Sequence, residues 1–458
     1  VNILSFNHGC ALSWPSPSLP ILAGDHSPLG GPLTELQTSL VASSFCVGAI
    51  LGTPLSGWLV DRIGRKKAAM ANIGWTLKLF WLHPTALICA RFVAGFGGAG
   101  NLVLTPIYSS EVASLESRGI LGSLLMVTSN LGVIAGYVLG DCLSYFNALA
   151  VELSIPLLFV ILMSRIPESP SYLIKTNQIK EACEALAWLR RLPVHSHLVK
   201  KELNQLIHEA NTSHNGNEAK LMKSPPSLRA LALSMVLFTA QTFMGNMAVV
   251  TFAHSIFQEA GSTLSPSMSS LVVGCLQLAG SLVATSLIER LGRKILILSS
   301  CCTVVLSMTS LGTYFYLRDT GHDVSAFGWI PVAALSVSVS TFSMGIGPVL
   351  YVLVSEMFLV QVKYLTIKTF DQKWELFKFD KVLSKQAIQV FGSHTVFWAF
   401  AVVGCLCFII TAIFVPETKG RPIEEITAHF GGKDTNWTND ISLGTKLFFI
   451  SKPNSSVL

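Results

Sequence analysis

The residues that could do chemistry in this chain are charged, and two short stretches concentrate them. "GWLVDRIGRKKAA" places Asp61, Arg62, Gly64, Arg65, Lys66 and Lys67 directly after an apolar run that ends at Val60. "TSLIERLGRKILI" repeats the arrangement with Glu289, Arg290, Gly292, Arg293 and Lys294. In each, an acid and an arginine flank a glycine. That spacing suits ion pairing around a tight turn, which glycine permits, and not bond making. No Ser/His/Asp grouping, phosphate-binding loop or metal-ligand spacing accompanies it, so an enzyme, a metal site and a cofactor are not expected. The close glycines of "ARFVAGFGGAG" fall within an apolar run, where they suit close helix packing.

The surrounding composition sets the class. Of 458 residues, 51% are hydrophobic and 13% charged, against about 25% charged in an average soluble domain. The mean hydropathy is +0.55. The expected class is an all-α polytopic membrane protein with the lipid bilayer as its partner. The net charge of +6 is small, and the basic residues are dispersed at the edges of apolar runs, which argues against nucleic-acid binding. Most of the 10 cysteines lie in apolar runs and read as small buried hydrophobes. A chain that begins at Val1 is expected to lack its natural start.

A spanning helix needs about 20 mostly apolar residues. Strong candidates are Leu36–Val60, Thr85–Tyr108, Gly119–Leu143, Leu228–Ile256, Met268–Ile288, Ile295–Leu317, Gly328–Phe358 and Thr395–Val415. Ile3–Leu22 is interrupted by Pro15, Pro17 and Pro20, and Ala148–Met163 carries Glu152. Ala68–Leu82 is short and holds Lys78, which reads as a defective third helix. Between Lys363 and Lys385 stand nine charges. Each costs about 2.5–3.5 kcal/mol near the centre of a spanning helix, so this stretch is not expected to cross.

The charged echoes Asp61 and Glu289 lie 228 residues apart (289 − 61), and other echoes keep a similar offset. "YSSEVA" holds Glu111 and "LVSEMF" holds Glu356; "IPESP" and "VPETKG" hold Glu168 and Glu417. Two homologous halves follow, an architecture of transporters that bind substrate near the midplane between repeats. The expected division is 1–163, a linker at 164–227, 228–416, and a tail at 417–458. The linker pattern "QIKEACEALAWLRRL" puts Ile179, Ala182, Cys183, Leu186 and Leu189 on one helical face. Its basic excess, with the two basic loops, places linker and both termini in the cytoplasm. The sequons at Asn211, Asn436 and Asn454 would then carry no glycan. Acids and bases at that side are expected to pair across the halves and to bias a two-state equilibrium; the alternative is a topogenic basic loop and nothing more.

These stretches, with "YSSEVASLESRG", "IPESPSYL", "GIGPVLYVLVSEMF" and "VPETKGRPIEEI", resemble the sugar porters of the major facilitator superfamily, in that family's order. "RFVAGFGGAG" and "SNLGVIAGYVLG" are most similar to insect facilitated trehalose and glucose transporters. The resemblance implies a major facilitator fold of two six-helix halves, a cytosolic helical linker domain and alternating access. The third helix would be short and the eleventh disrupted. It also implies a cytosolic charge network of Asp61, Arg62, Gly64, Arg65, Arg91, Glu111, Arg118, Glu168, Glu289, Arg290, Gly292, Arg293, Glu356 and Glu417.

The family's seventh-helix pattern, Gln-Gln-x-Ser-Gly-x-Asn, is matched here by Gln241 and Asn246, while Ala240, Phe243 and Met244 replace the other three. The fifth-helix Gln position falls on Met126, and Asn130 is the candidate from that helix. Tyr351 stands where the family has Trp, after Gly347 and Pro348, the expected helix break. Gln241 and Asn246 could instead bond neighbouring helices, and Tyr351 could be a packing aromatic. The implied function is facilitative transport of trehalose or a hexose across the plasma membrane. The first helix holds no acid, and Asp25 lies in the first loop; only His8 could titrate, which favours uniport over proton coupling. The alternative is a non-transporting relative, a sensor or an inactive copy, suggested by the apolar replacements and the charged stretch. Nothing in the sequence specifies an oligomeric state.

Overall fold

Lipid offers no water to backbone groups, so spanning segments must satisfy them internally. The computed structural model describes residues 2–25, 27–73, 83–113, 118–213, 225–260, 265–357 and 392–419, and the side chains of Arg118, Glu289 and Glu356 lie outside that description. Every regular element among the described residues is helical. Nine segments among them are long and apolar enough to cross a membrane. They include all eight strong sequence candidates and Tyr145–Ser164.

The first half begins with α1 (Asn2–Ser13) and α2 (Pro15–Ala23), two helices that meet at Trp14 and are not among those nine. Proline opens α2, where a missing N–H costs nothing. α3 (Glu35–Ile63) starts at a capping box between Thr34 and Gln37. α4 (Arg65–Ile73) follows after a single glycine, and residues 74–82 of the expected third span lie outside the described residues. α5 (Pro84–Val112), α6 (Arg118–Cys142) and α7 (Tyr145–Ser164) complete this half. α3 and α5 touch through glycines: a Cβ at Gly48 would sit 1.8 Å from the Phe92 carbonyl oxygen, and one at Gly95 equally close to that of Phe45. The glycines of "ARFVAGFGGAG" thus serve packing, as read from the sequence.

The linker folds as α8 (Pro170–Lys175), α9 (Ile179–Arg190) and α10 (His197–Ser213) around Leu173, Ala182, Leu186, Val199 and Leu203. Ile179, expected on the apolar face of α9, is exposed, because Ala185 and Ala187 with Leu186 make the contact instead. Arg190 fixes this unit to the first half. It donates to the Val112 carbonyl at the end of α5 (3.1 Å) and pairs with Glu202 (2.6 Å).

The second half comprises α11 (Pro225–Phe243), α12 (Asn246–Ala260), α13 (Pro266–Leu291), α14 (Arg293–Asp319), α15 (Ile330–Met344), α16 (Ile346–Met357) and α17 (Ser393–Phe414). The charged stretch 363–385 lies outside the described residues. The seventh span breaks at Gly245, which has φ 81°. The tenth breaks at Gly345 (φ −115°, ψ −102°), two residues before the expected Gly347 and Pro348. Those two residues fall in the first turn of α16. Proline is tolerated there because first-turn amides have no intrahelical acceptor to lose. The halves meet where α2 lies against α12 and α6 against α13. Leu12, Val133 and Tyr137 of the first half join the apolar core of the second.

The glycines between α3 and α4, and between α13 and α14, have nearly the same backbone: φ 95°, ψ 165° at Gly64 and φ 92°, ψ 161° at Gly292. This region belongs essentially to glycine, and other residues pay of order 1–3 kcal/mol to enter it. A Cβ at Gly292 would also lie 2.7 Å from Glu417 Oε2. Gly292→Ala is therefore expected to lower stability by at least about 1–3 kcal/mol. A thermal unfolding midpoint equal to that of the unaltered protein would contradict this.

Candidate functional site

Two charged clamps are built at the end of the molecule that carries the linker. The α4 N-terminus presents amides that no residue of its own helix can accept. Glu168 supplies the acceptor from a hundred residues away: its carboxylate takes the amides of Arg65 (3.0 Å) and Lys66 (3.1 Å). A negative charge at that position also suits the helix dipole. Lys66 returns the contact by donating to the Ser164 carbonyl at 2.9 Å. The Arg65 guanidinium is fully buried and bonds Glu111 through Nε (2.9 Å) and Nη2 (2.7 Å). Asp61 lies 3.9 Å away, the Val60 carbonyl accepts at 3.2 Å, and the Tyr172 ring lies 5.2 Å from the guanidinium. Glu111 is held in turn by the Ser169 hydroxyl.

The second half repeats the amide clamp. Glu417 accepts the amides of Arg293 (2.9 Å) and Lys294 (3.1 Å). Lys294 donates to the Ala412 carbonyl (2.8 Å), and Arg293 Nη1 to the Ile288 carbonyl (3.2 Å). Burial pushes the Glu417 carboxyl up, but the amides of Lys419, Arg293, Lys294 and Thr418 more than offset it, so the group sits below the ordinary carboxylate range. Arg62 stacks on Trp58, and Arg290 is exposed, its carbonyl taken by the Lys419 ammonium.

The contacts of Arg65 to Glu111, Glu168 and Asp61 join parts of the first half, and those of Arg293 and Lys294 to Glu417 join parts of the second. These contacts brace each half. Arg91 is misplaced by the sequence reading. It stands twenty residues before Glu111 on α5, about 30 Å away at about 1.5 Å per residue. There its guanidinium is fully buried, donates to the Ala11 carbonyl at 2.8 Å and lies between the Trp14 and Phe45 rings.

The amide candidates lie deeper, between helices. Gln241 ends α11 beside the break, is 4% exposed, and donates to the Gly347 carbonyl at 3.5 Å. Its Oε1 and the Oδ1 of Asn246, just past the break, are buried with no partner. Asn130 of α6 donates to the Ser281 hydroxyl of α13, crossing between the halves. Tyr351 packs edge-on against Phe238, one turn before Gln241, and remains 40% exposed. Met244, at the family's glycine position, is 1% exposed in the core of the second half. Gln277 was missed. It sits one turn before Ser281 on α13, 7% exposed, and its Oε1 has no partner. An amide four residues from a serine inside an otherwise apolar span was the available signal. A buried polar atom left without a bond costs about 1–3 kcal/mol. Gln241, Asn246 and Gln277 each keep one such oxygen.

Residues 14–430 match the family model described as "Sugar (and other) transporter". The facilitated trehalose transporter Tret1 of Bombyx mori is 31% identical over 404 residues, covering 86% of this chain and 79% of that one. Its counterpart in Apis mellifera ligustica is 30% identical, covering 94% and 87%. Of the longer Aedes aegypti relative the chain spans 54%. Among solved structures, the inward-open xylose transporter XylE from E. coli aligns with a TM-score of 0.72 at 22% identity, over 93% of this chain and 97% of that one. XylE bound to 6-bromo-6-deoxy-D-glucose aligns with a TM-score of 0.70 at 21% identity, over 94% and 98%. These structures share the fold with the present chain.

A lowered carboxyl contributes stability above its ordinary value and loses it as pH falls through the lowered one. The Glu417 clamp is thus expected to hold at neutral pH and to weaken only below the ordinary carboxylate range. The unfolding midpoint of the unaltered protein should fall toward that of Glu417→Gln as pH drops through this window. A gap between the two that stays constant with pH would refute the assignment.

Proposed function

The chain belongs to the sugar transporter family, and from that premise we propose that it moves trehalose or a hexose down its gradient by alternating access. It is a multi-pass membrane protein and not an enzyme. The observation that carries the reading is the set of buried amides at the broken seventh span. Gln241 and Asn246 keep unpaired oxygens deep in the helix bundle, with Gln277 on the neighbouring α13. Groups built to bond hydroxyls discriminate strongly for a ligand that has them. Tyr351 adds a half-open aromatic face suited to a sugar ring. The curated relatives named above are facilitated trehalose transporters, which supports the same substrate class. The first span carries no acid, which supports transport without a coupled proton. The basic linker and loops support cytoplasmic termini, and a plasma-membrane site is part of the same reading.

In cells expressing the protein, labelled trehalose or glucose should accumulate saturably. Gln241→Ala is expected to reduce uptake at low sugar by about 10-fold or more, the loss of one buried hydrogen bond. Surface expression, measured in parallel, should be unchanged. Saturable binding without flux would support the non-transporting relative, a reading favoured by the apolar Ala240, Phe243 and Met244. Uptake indifferent to Gln241 would remove that amide from the site.

A further inference from the structure

At the face away from the linker, α12 is broken a second time. Phe252 has φ −113° and ψ 17°, outside the helical region. In a regular helix the amide of residue 254 bonds the carbonyl of residue 250, its neighbour four positions back. Here both groups are engaged by the opposite half. The Tyr137 hydroxyl on α6 donates to the Val250 carbonyl at 2.7 Å, and the His254 amide donates to the Ser16 hydroxyl on α2 at 3.1 Å. Tyr137 is 4% exposed and Ser16 1%, so both bonds are shielded from water. The kink also turns Phe252 into the apolar cluster of the first half that holds Trp14, Leu19 and Leu22. Beside it lies a cavity of about 450 Å³, lined from both halves by Leu19, Thr38, Ala248 and Phe400 among others.

We propose that Tyr137 and Ser16 are positioning residues that keep the carrier closed at this face by occupying the two ends of one broken helical turn. Opening here withdraws both hydroxyls. The Val250 carbonyl and the His254 amide are then free to bond each other as in a regular helix, since a buried peptide group left unpaired is costly. The turn closes, α12 straightens, and Phe252 leaves the opposing cluster. Bonds lost between the halves are regained inside the helix, which lowers the cost of opening. This step rests on the alternating-access reading, but its test does not need sugar.

The test uses the full chain in lipid nanodiscs with a reporter thiol, Ala248→Cys, on the cavity wall, where the native side chain is 6% exposed. Labelling by a bulky charged maleimide is compared with that of the parent chain, which reports the 10 native thiols. Tyr137→Phe, which removes one oxygen, is expected to raise labelling at position 248 by about 3-fold or more, since it removes one closing hydrogen bond. Ser16→Ala should do the same. Labelling unchanged in both variants, with or without a lower unfolding midpoint, would show these hydroxyls to be structural only and would overturn the proposal. Sugar flux is measured separately. Flux without a labelling response leaves the transport reading standing and removes the latch. A labelling response in a protein with no flux keeps the latch and removes the transport reading.

Discussion

A helix that begins inside packed protein must find acceptors for its first amides, and this chain meets that demand twice with a carboxylate from the far end of the same half. Glu168 closes over the start of α4 and Glu417 over the start of α14, each on a glycine turn that leaves no room for a Cβ. The consequences extend well beyond the turns. Glu168 ties the second-to-third connection to the exit of α7, and Ser169, its neighbour, holds Glu111 on α5. Buried Arg65 then has its charge met by Glu111, without which a desolvated guanidinium would be strongly destabilising. Arg190 carries the connection into the linker by capping α5. Each half is therefore closed on itself at the linker end.

Halves braced in this way leave motion to the surface between them. Among the described residues, hydrogen bonds across that surface include Asn130 to Ser281, Tyr137 to Val250, and Ser16 to His254. A hydrogen bond is worth about 0.5–1.5 kcal/mol net, so a handful can be exchanged against bonds of similar strength as the halves rock. The breaks in the seventh and tenth spans, at Gly245 and Gly345, lie on the helices that carry Gln241, Asn246 and Tyr351. Broken helices expose backbone polar groups in the middle of the bilayer, which is tolerated only where protein or a hydrated cavity meets them. The candidate amides and the kinked turn at Phe252 thus lie on the same broken span.

Much of the site was legible in the residues. The acid–glycine–base echoes gave the repeat, and Gly64, Arg65, Glu111 and Glu168 fell together because ionised groups at a membrane edge have few other partners. Arg91 was misread because a lone arginine in an apolar run carries no mark of which end of its helix it occupies. It bonds the Ala11 carbonyl and lies between ring faces, contacts that no acid–base spacing in the sequence marks. Glu417 accepts the amides of Arg293 and Lys294 from next door, a role for a carboxylate that charge sign alone does not reveal. The break at Gly345 was placed two residues late because proline marks where a helix can begin as readily as where one ends. Gln277 was passed over because a single amide in an apolar span looks like any helix-bonding polar residue until its lack of a partner is seen.

The central claim is that the two clamps stay fixed while the halves move about them. Hydrogen exchange on the unaltered protein in nanodiscs, with and without saturating trehalose, tests it most directly. Peptides over Gly64–Lys67 and Gly292–Lys294 should show the same protection in both conditions, while the peptide over residues 248–258 changes. Loss of protection at either glycine turn on adding sugar, with 248–258 unmoved, would contradict the account.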